Sequence, residues 1–413
     1  MTSGSLSRPP GYRVRAGEFL ALIAALSALN AIAIDVMLPA FGALREAFGL
    51  APTATDVSLI VTVYIVGLGV GQYLYGPIAD ARGRKPVLYV GLVLYLLGAI
   101  GAILSPSLQF MLVSRFVWGL GAAGPRVVSL AIVRDRYSGD DMARVMSIVI
   151  SVFMLVPAVA PTVGHALLGL GSWRYPFAFT FLFGAGVGLW SLRLRETLPP
   201  ERRRSMAPRA VLASTREVLR HRTTMGMTLA MTFALGAFFP YLGSSQLIYD
   251  GVYDREEQFP YWFGLTALIM GAASVVNSRL VRRVGAASTL TATMIVYLGV
   301  SAVYVGVASA TDGRPAFALY FALTAVLLSG HVVLTSIMNS MAMDDVGHVA
   351  GTASALLGTI TFVGGSLLGS LVDRTVSNSV VPLAVGYLGY GTLAAACAIW
   401  ATRGRPAPAE PAP

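Results

Sequence analysis

Three ionisable side chains stand inside apolar sequence, and their chemistry sets the first question. Asp35, Arg115 and Arg126 each interrupt a run long enough to cross a bilayer, which takes about 20 apolar residues in a helix. A lone charge at the bilayer centre costs roughly 2.5–3.5 kcal/mol on insertion scales, so it persists only where it pairs, faces water, or both. Asp35 lies 16 residues beyond Phe19, in the far part of the first run. Arg115 lies about six residues into the fourth run from the same side, so the two are expected at similar depth. A carboxylate whose surroundings alternate, dry to wet or with and without a cation, takes a proton at one stage of a cycle and releases it at another. Asp35 is therefore the expected proton carrier, with Arg115 as partner or tuner. The competing reading is a static buried ion pair, or an Asp35 merely solvated near the surface.

Arg126 follows Arg115 by 11 positions, which returns to the same helical face roughly 16 Å along the axis. Two arginines on one face turn that face toward a water-filled cavity rather than lipid. From that wall Arg126 either binds an anionic or carbonyl-bearing compound or snorkels to the membrane surface. Asn30, Met154, His165, Phe233, Tyr241 and His331 are further candidate cavity residues, with Phe238 and Phe239 beside them. Asparagine hydrogen-bonds between helices, histidine titrates near neutrality, and methionine and aromatic side chains adapt to varied ligands. Each also has a plain packing role.

These residues hang on twelve apolar runs, near 19–40, 57–77, 86–105, 109–133, 143–168, 175–193, 224–248, 260–281, 286–308, 316–342, 349–372 and 380–402. Only 12% of the 413 residues are charged, about half the share of a soluble domain, as a hydrocarbon solvent demands. The chain divides into a tail, 1–16, a six-helix half, 17–193, a basic linker, 194–223, a second six-helix half, 224–402, and a Pro- and Ala-rich tail, 403–413, expected to be disordered. Arg8, Arg13 and Arg15 precede a first run too long for a signal peptide, which is expected to be retained.

An even number of crossings puts both ends on one side. That side carries 23 of the 30 Arg and Lys: three in the first tail, three at 82–85, three at 134–144, nine at 193–222, three at 279–283 and two at 403–405. The other side carries Arg45, Arg174, Arg255, Arg314 and Arg374. The bias predicts cytoplasmic termini, and it accounts for the net charge of +10 without nucleic acid. A lone cysteine, Cys397, excludes a disulfide framework and a cysteine zinc site. No Walker A loop, His-Glu-x-x-His pair or Gly-x-Ser-x-Gly turn occurs, so neither ATP-driven pumping nor an enzyme is expected, and no cofactor or metal.

Gly76-Pro-Ile-Ala-Asp80-Ala-Arg82-Gly83-Arg84-Lys85 follows the second run, and a degenerate copy, Asn277 to Gly285, follows the eighth. A basic, glycine-containing turn at matching positions fits two parallel six-helix repeats. The first copy resembles the signature loop of the major facilitator superfamily, in which Gly76 and Gly83 permit a tight turn. Asp80 is expected to pair with a basic group such as Arg134 or Arg136, or to face the N-terminus of a neighbouring helix. Arg115 with Gly119 resembles the family's fourth-helix motif, with Trp118 in place of the usual polar residue. Ala160, Pro161 and Gly164 resemble the fifth-helix antiporter motif associated with exporters, although Ala160 replaces its first glycine and His165 its last.

Nearly the whole chain is similar to the Bcr/CflA group, through Ile34-Asp35-Val-Met-Leu38-Pro39, Gly71-Gln72-Tyr-Leu-Tyr-Gly76-Pro77, Val133-Arg134-Asp135-Arg-Tyr137, Ser172-Trp173-Arg174 and Glu196-Thr197-Leu198-Pro199. The resemblance implies an all-α membrane protein of two pseudo-symmetric six-helix bundles, monomeric, in a bacterial inner membrane. It implies a proton-coupled antiporter that exports amphiphilic compounds of the chloramphenicol or bicyclomycin kind by alternating access. A dedicated exporter of a siderophore or amino acid, an importer on the same fold, and a membrane enzyme or receptor are the alternatives.

Overall fold

The computed structural model describes residues 16–203 and 208–403, and every regular element among them is helical. The expected tails, 1–16 and 403–413, lie outside the described residues except for Ala16 and Arg403. Six long helices form the first half: α1 (Ala16–Asp35), α3 (Leu59–Arg82), α4 (Arg84–Ile103), α5 (Leu108–Arg136), α6 (Gly139–Leu168) and α7 (Arg174–Ser191). A short α2 (Phe41–Ala47) lies between α1 and α3, and α8 (Pro208–Arg220) lies in the linker. The second half contains α9 (Arg222–Leu247), α10 (Phe259–Val284), α11 (Ala286–Ala310), α12 (Phe317–Met343), α13 (Ala350–Asp373) and α14 (Val381–Thr402). Among the described residues, ten stretches are long and apolar enough to cross a membrane, one of which, Phe317–Asp373, contains both α12 and α13. Together with α7 they give the twelve-helix architecture.

The first apolar run is not one helix. A proline ring clashes with the carbonyl four residues earlier, and for Pro39 that carbonyl belongs to Asp35. The α-helix accordingly stops at Asp35, and a 3-10 turn, Leu38–Ala40, leads into α2. Asp35 is thereby a helix end rather than a mid-helix residue.

Within each half the helices pack on one another, and the halves meet where α3 lies on α13 and α6 on α10. Matching the helices of one half to the other in order exchanges these two contacts, as a pseudo-two-fold axis requires. The repeated turn agrees in detail. Gly83 joins α3 to α4 at φ 103° and ψ 162°, and Gly285 joins α10 to α11 at φ 83° and ψ 158°. Only glycine adopts such angles without strain.

Small residues set the spacing inside the first half. Cβ atoms added at Gly119 or Gly121 would overlap the backbones of Tyr64 and Tyr95, so α5 lies against α3 and α4 almost without side chains between them. Leu97, Leu182, Leu189, Ile295, Val303 and Ile399 remain exposed on α4, α7, α11 and α14, an apolar girdle suited to acyl chains. The face holding the start of α1 and the end of α14 is the terminal face; Asp35 lies toward the opposite face.

Candidate functional site

Asp35 is 4% exposed, and its position is fixed by contacts to the backbone around it. Arg115, fully buried on α5, donates from Nη1 to the carbonyl of Ala33 at 3.0 Å and from Nε to that of Ile60 at 3.1 Å. Its guanidinium lies 4.3 Å from the Tyr64 ring centre and 4.9 Å from that of Trp118. The α1 C-terminus has carbonyls with no helical partner, and Arg115 supplies both a donor and a charge there. On the other side, α6 approaches so closely that a Cβ at Gly164 would overlap the carbonyl of Val36. Ala160 packs in the same seam against Ala28, Ile32 and Val36. No ion pair joins Asp35 to Arg115, and none reaches Asp35 from any described residue. Arg115 thus holds the segment bearing Asp35 rather than neutralising it.

Asp35 opens onto a cavity of ≈ 310 Å³ between the halves. Asn30, Ile34 and Asp35 of α1, Arg126 of α5 and Phe153, Met154 and Pro157 of α6 line one wall. Phe238, Phe239 and Tyr241 of α9, Phe263, Thr266 and Met270 of α10, and Phe362 of α13 line the other. Polar groups are few, which suits an amphiphilic ligand oriented by a small number of hydrogen bonds. Asn30 is itself held: Nδ2 donates to the Ala122 carbonyl at 3.4 Å, and Oδ1 accepts from the Tyr64 hydroxyl at 3.3 Å. Tyr241 stacks on Phe263 at 5.2 Å. Arg126 lies 4.9 Å from the Phe362 ring centre, a cation–π contact from one half to the other.

Asn30, Arg126, Met154 and Tyr241 therefore share the cavity with Asp35, and three expected residues do not. His165 is half-buried near the end of α6, in the electrostatic range of Glu256. Phe233 packs on Tyr390. His331 stands behind the wall, stacked on Phe238 at 4.7 Å. Depth explains His165, which shares the face of Met154 but lies 11 residues, roughly 16 Å, further along α6. Helical phase explains Phe233 and His331, which stand about 100° or more from their helices' cavity-lining residues such as Phe238 and Val332. Phe153, Phe263, Met270 and Phe362 were not singled out from the sequence. The internal repeat was the available signal, since α13 occupies in the second half the place of α6 in the first.

The signature loop forms a charged cluster at the terminal face. Arg84 Nη1 meets Asp80 Oδ1 at 2.5 Å, and its Nε meets Asp135 Oδ2 at 3.0 Å. Thr197 Oγ1 also donates to Asp135, at 2.9 Å. The expected pairing of Asp80 with Arg134 or Arg136 is thus replaced by one with Arg84, four residues on, while the Arg136 guanidinium lies over Phe19. Asp80 Oδ2 comes within 3.7 Å of the Cβ position at Gly351, in the first turn of α13, so it faces a helix N-terminus of the other half. Glu196 receives the backbone N–H groups of Arg84, Lys85, Thr197 and Leu198 at 2.9–3.0 Å. Burial alone would push its carboxyl up, but those four donors hold it below the usual carboxylate value. Lys85 Nζ adds a bond to the Leu192 carbonyl at 3.4 Å. The linker helix closes over this face: Thr215 meets the Tyr73 hydroxyl at 3.1 Å, and Glu217 meets His348 at 2.6 Å.

Two six-helix bundles enclosing one apolar cavity with a few polar groups define a multi-pass membrane protein of the secondary-transporter class. The profile of the Major Facilitator Superfamily matches residues 20–369, and the chain belongs to that family. It is 32% identical over 380 residues to an uncharacterized MFS-type transporter, YdgK, of Bacillus subtilis (strain 168), covering 91% of this chain and 92% of that one. It is 28% identical over 368 residues to the bicyclomycin resistance protein homolog of Haemophilus influenzae, covering 88% and 91%. A chloramphenicol resistance protein of Pseudomonas aeruginosa matches at 33% over 182 residues, 43% of each chain. A D-xylose-proton symporter has the same fold, with a TM-score of 0.73 at 14% identity over 94% of this chain and 98% of that one.

Proposed function

We propose that this protein is a proton-coupled antiporter that exports small amphiphilic compounds across the bacterial inner membrane, with its terminal face in the cytoplasm. The observation that carries the reading is Asp35, a buried carboxyl in the wall of a mostly apolar cavity, without an ion pair among the described residues. Such a group and a ligand share one space, so a bound compound alters the surroundings that decide whether Asp35 keeps its proton. Exchange of proton for compound then requires no further chemistry. Arg126 and Tyr241 supply the polar contacts that orient the ligand, and the aromatic and methionine wall accommodates its apolar body. Alternating access would proceed by the bundles rocking about the α3–α13 and α6–α10 seams, with the Asp80 cluster resetting against α13 at each turn. The resistance-protein names of the relatives support the compound class, and the excess of Arg and Lys on the terminal side supports the orientation.

Everted membrane vesicles test direction and coupling together. A fluorescent amphiphile is expected to accumulate in everted vesicles whose lumen is acidified, and to leak out when the pH gradient is collapsed. Accumulation confined to right-side-out vesicles with an acidic exterior would identify an importer instead.

A further inference from the structure

A second carboxyl is buried at the opposite face, with no cation paired to it among the described residues. Asp373 ends α13 and is 2% exposed. Ser244 Oγ of α9 hydrogen-bonds its Oδ1; Ser58, the residue before α3, donates its hydroxyl to the Thr55 carbonyl at 2.8 Å, which leaves its oxygen as an acceptor for the carboxyl group. An added Cβ at the neighbouring Gly243 would come to 2.5 Å from Oδ2, so the α9 backbone closes over the carboxyl. Ser58 belongs to the first half, whereas Ser244 and Asp373 belong to the second; the carboxyl therefore sits on the seam between the bundles.

The charged groups of the surrounding elements do not serve it. Asp56, on the same turn as Ser58, and Arg374, next along the chain, are both exposed. Arg45 is engaged elsewhere, donating to the Ala54 carbonyl and to Gln246 Oε1, each at 2.9 Å. The carboxyl stands between the carbonyl end of α13, a negative pole, and the N-terminus of α3 at Ser58, a positive one, so the two helix ends offset each other. A carboxylate sealed from water, without a cation beside it among the described residues, is poorly accommodated. A carboxylic acid there can donate to one hydroxyl and accept from the other. Separation of the bundles at this face would part Ser58 from Ser244 and admit water to the acid.

We propose that Asp373 is a second proton-binding site, which makes closure of the opposite face conditional on a proton taken from that side. It exchanges with the water of that side alone, so it gates the return of the empty transporter without carrying a proton across. The inference rests on the proton-coupled reading above, but it places a separate group on a separate step.

The test is a distance measurement between spin labels at Thr53→Cys and Ser377→Cys, exposed positions on the two halves at this face, in a Cys397→Ser background in lipid nanodiscs. With Asp373 present, raising the pH is expected to lengthen the distance. Asp373→Asn should hold it short at every pH. Ser58→Ala, which keeps the carboxyl and loses its partner across the seam, should move the opening midpoint to lower pH. Asp35→Asn should leave the curve in place. An Asp373→Asn curve that follows the parent, or opening at low rather than high pH, overturns the proposal. Proton-driven transport that persists in Asp35→Asn would overturn the Asp35 assignment alone.

Discussion

At the residue scale, burial and partners separate three charges that look alike in the sequence. Asp35, Arg115 and Arg126 were all legible as charges in apolar runs, but their roles depend on partners that sequence does not encode. Arg115 bonds to two backbone carbonyls, which every residue possesses, so nothing in the side-chain pattern announces them. Arg126 is the arginine that reaches the cavity, and its ring partner Phe362 lies 236 positions away. Replacing Arg126 by Ala should cost an anionic substrate about 1.5–3 kcal/mol of binding, and a neutral one much less, since a hydrogen bond to a charged group is the stronger. Arg126→Lys should restore part of the anionic binding, because an ammonium keeps the charge but loses the planar fork. Equilibrium binding of one anionic and one neutral compound to each variant checks this. Equal losses for both compounds would remove Arg126 from direct recognition.

At the element scale, the twelve crossing helices and the repeated loop were readable from apolar length and glycine spacing, because the bilayer enforces both. The end of α1 was not, although Pro39 marks it in retrospect. The antiporter-like motif turns out to be a contact surface, where Gly164 admits the Val36 carbonyl next to Asp35. Gly164→Ala is expected to destabilise the protein by about 1–3 kcal/mol, as overpacking against backbone does. Gly299→Ala on α11, where an added Cβ meets nothing within 4 Å, should be neutral or mildly stabilising. Thermal melting in detergent compares the two, and a Gly164→Ala protein as stable as the parent would contradict the close approach.

Glu196 makes a second prediction at this scale. Its carboxyl is held low in the folded state, so its contribution is complete above the unfolded value, about 4.3, and disappears as pH falls through the lower folded value. Glu196→Gln should lower stability by about 1 kcal/mol near neutrality, since the half-buried site is partly screened. The difference should vanish in acid. Melting curves of parent and variant from pH 3 to 7, within the range set by these carboxylate values, would show convergence toward the acid end; a constant gap would mean that the charge contributes nothing.

At the scale of the whole molecule, the pseudo-two-fold places α3 on α13 and α6 on α10, with the cavity between these seams. Three groups then mark three levels: Asp80 facing α13 at the terminal face, Asp35 in the cavity wall, and Asp373 across the seam at the opposite face. Sequence located the first two, through a loop motif and an isolated charge. It did not separate the third from an ordinary loop residue, because Asp373 falls one position beyond its apolar run and gains meaning only from Ser58 and Ser244. The account as a whole depends on Asp35 releasing a proton when a compound occupies the cavity. The direct measurement is proton release on substrate binding, followed with a pH indicator in weakly buffered detergent solution, for the parent protein and Asp35→Asn. The account predicts a release that saturates with substrate in the parent and is absent in Asp35→Asn, even though the variant still binds the compound. An equal release from the variant, or substrate binding by the parent with no proton release at any pH at which the protein stays folded, would contradict it.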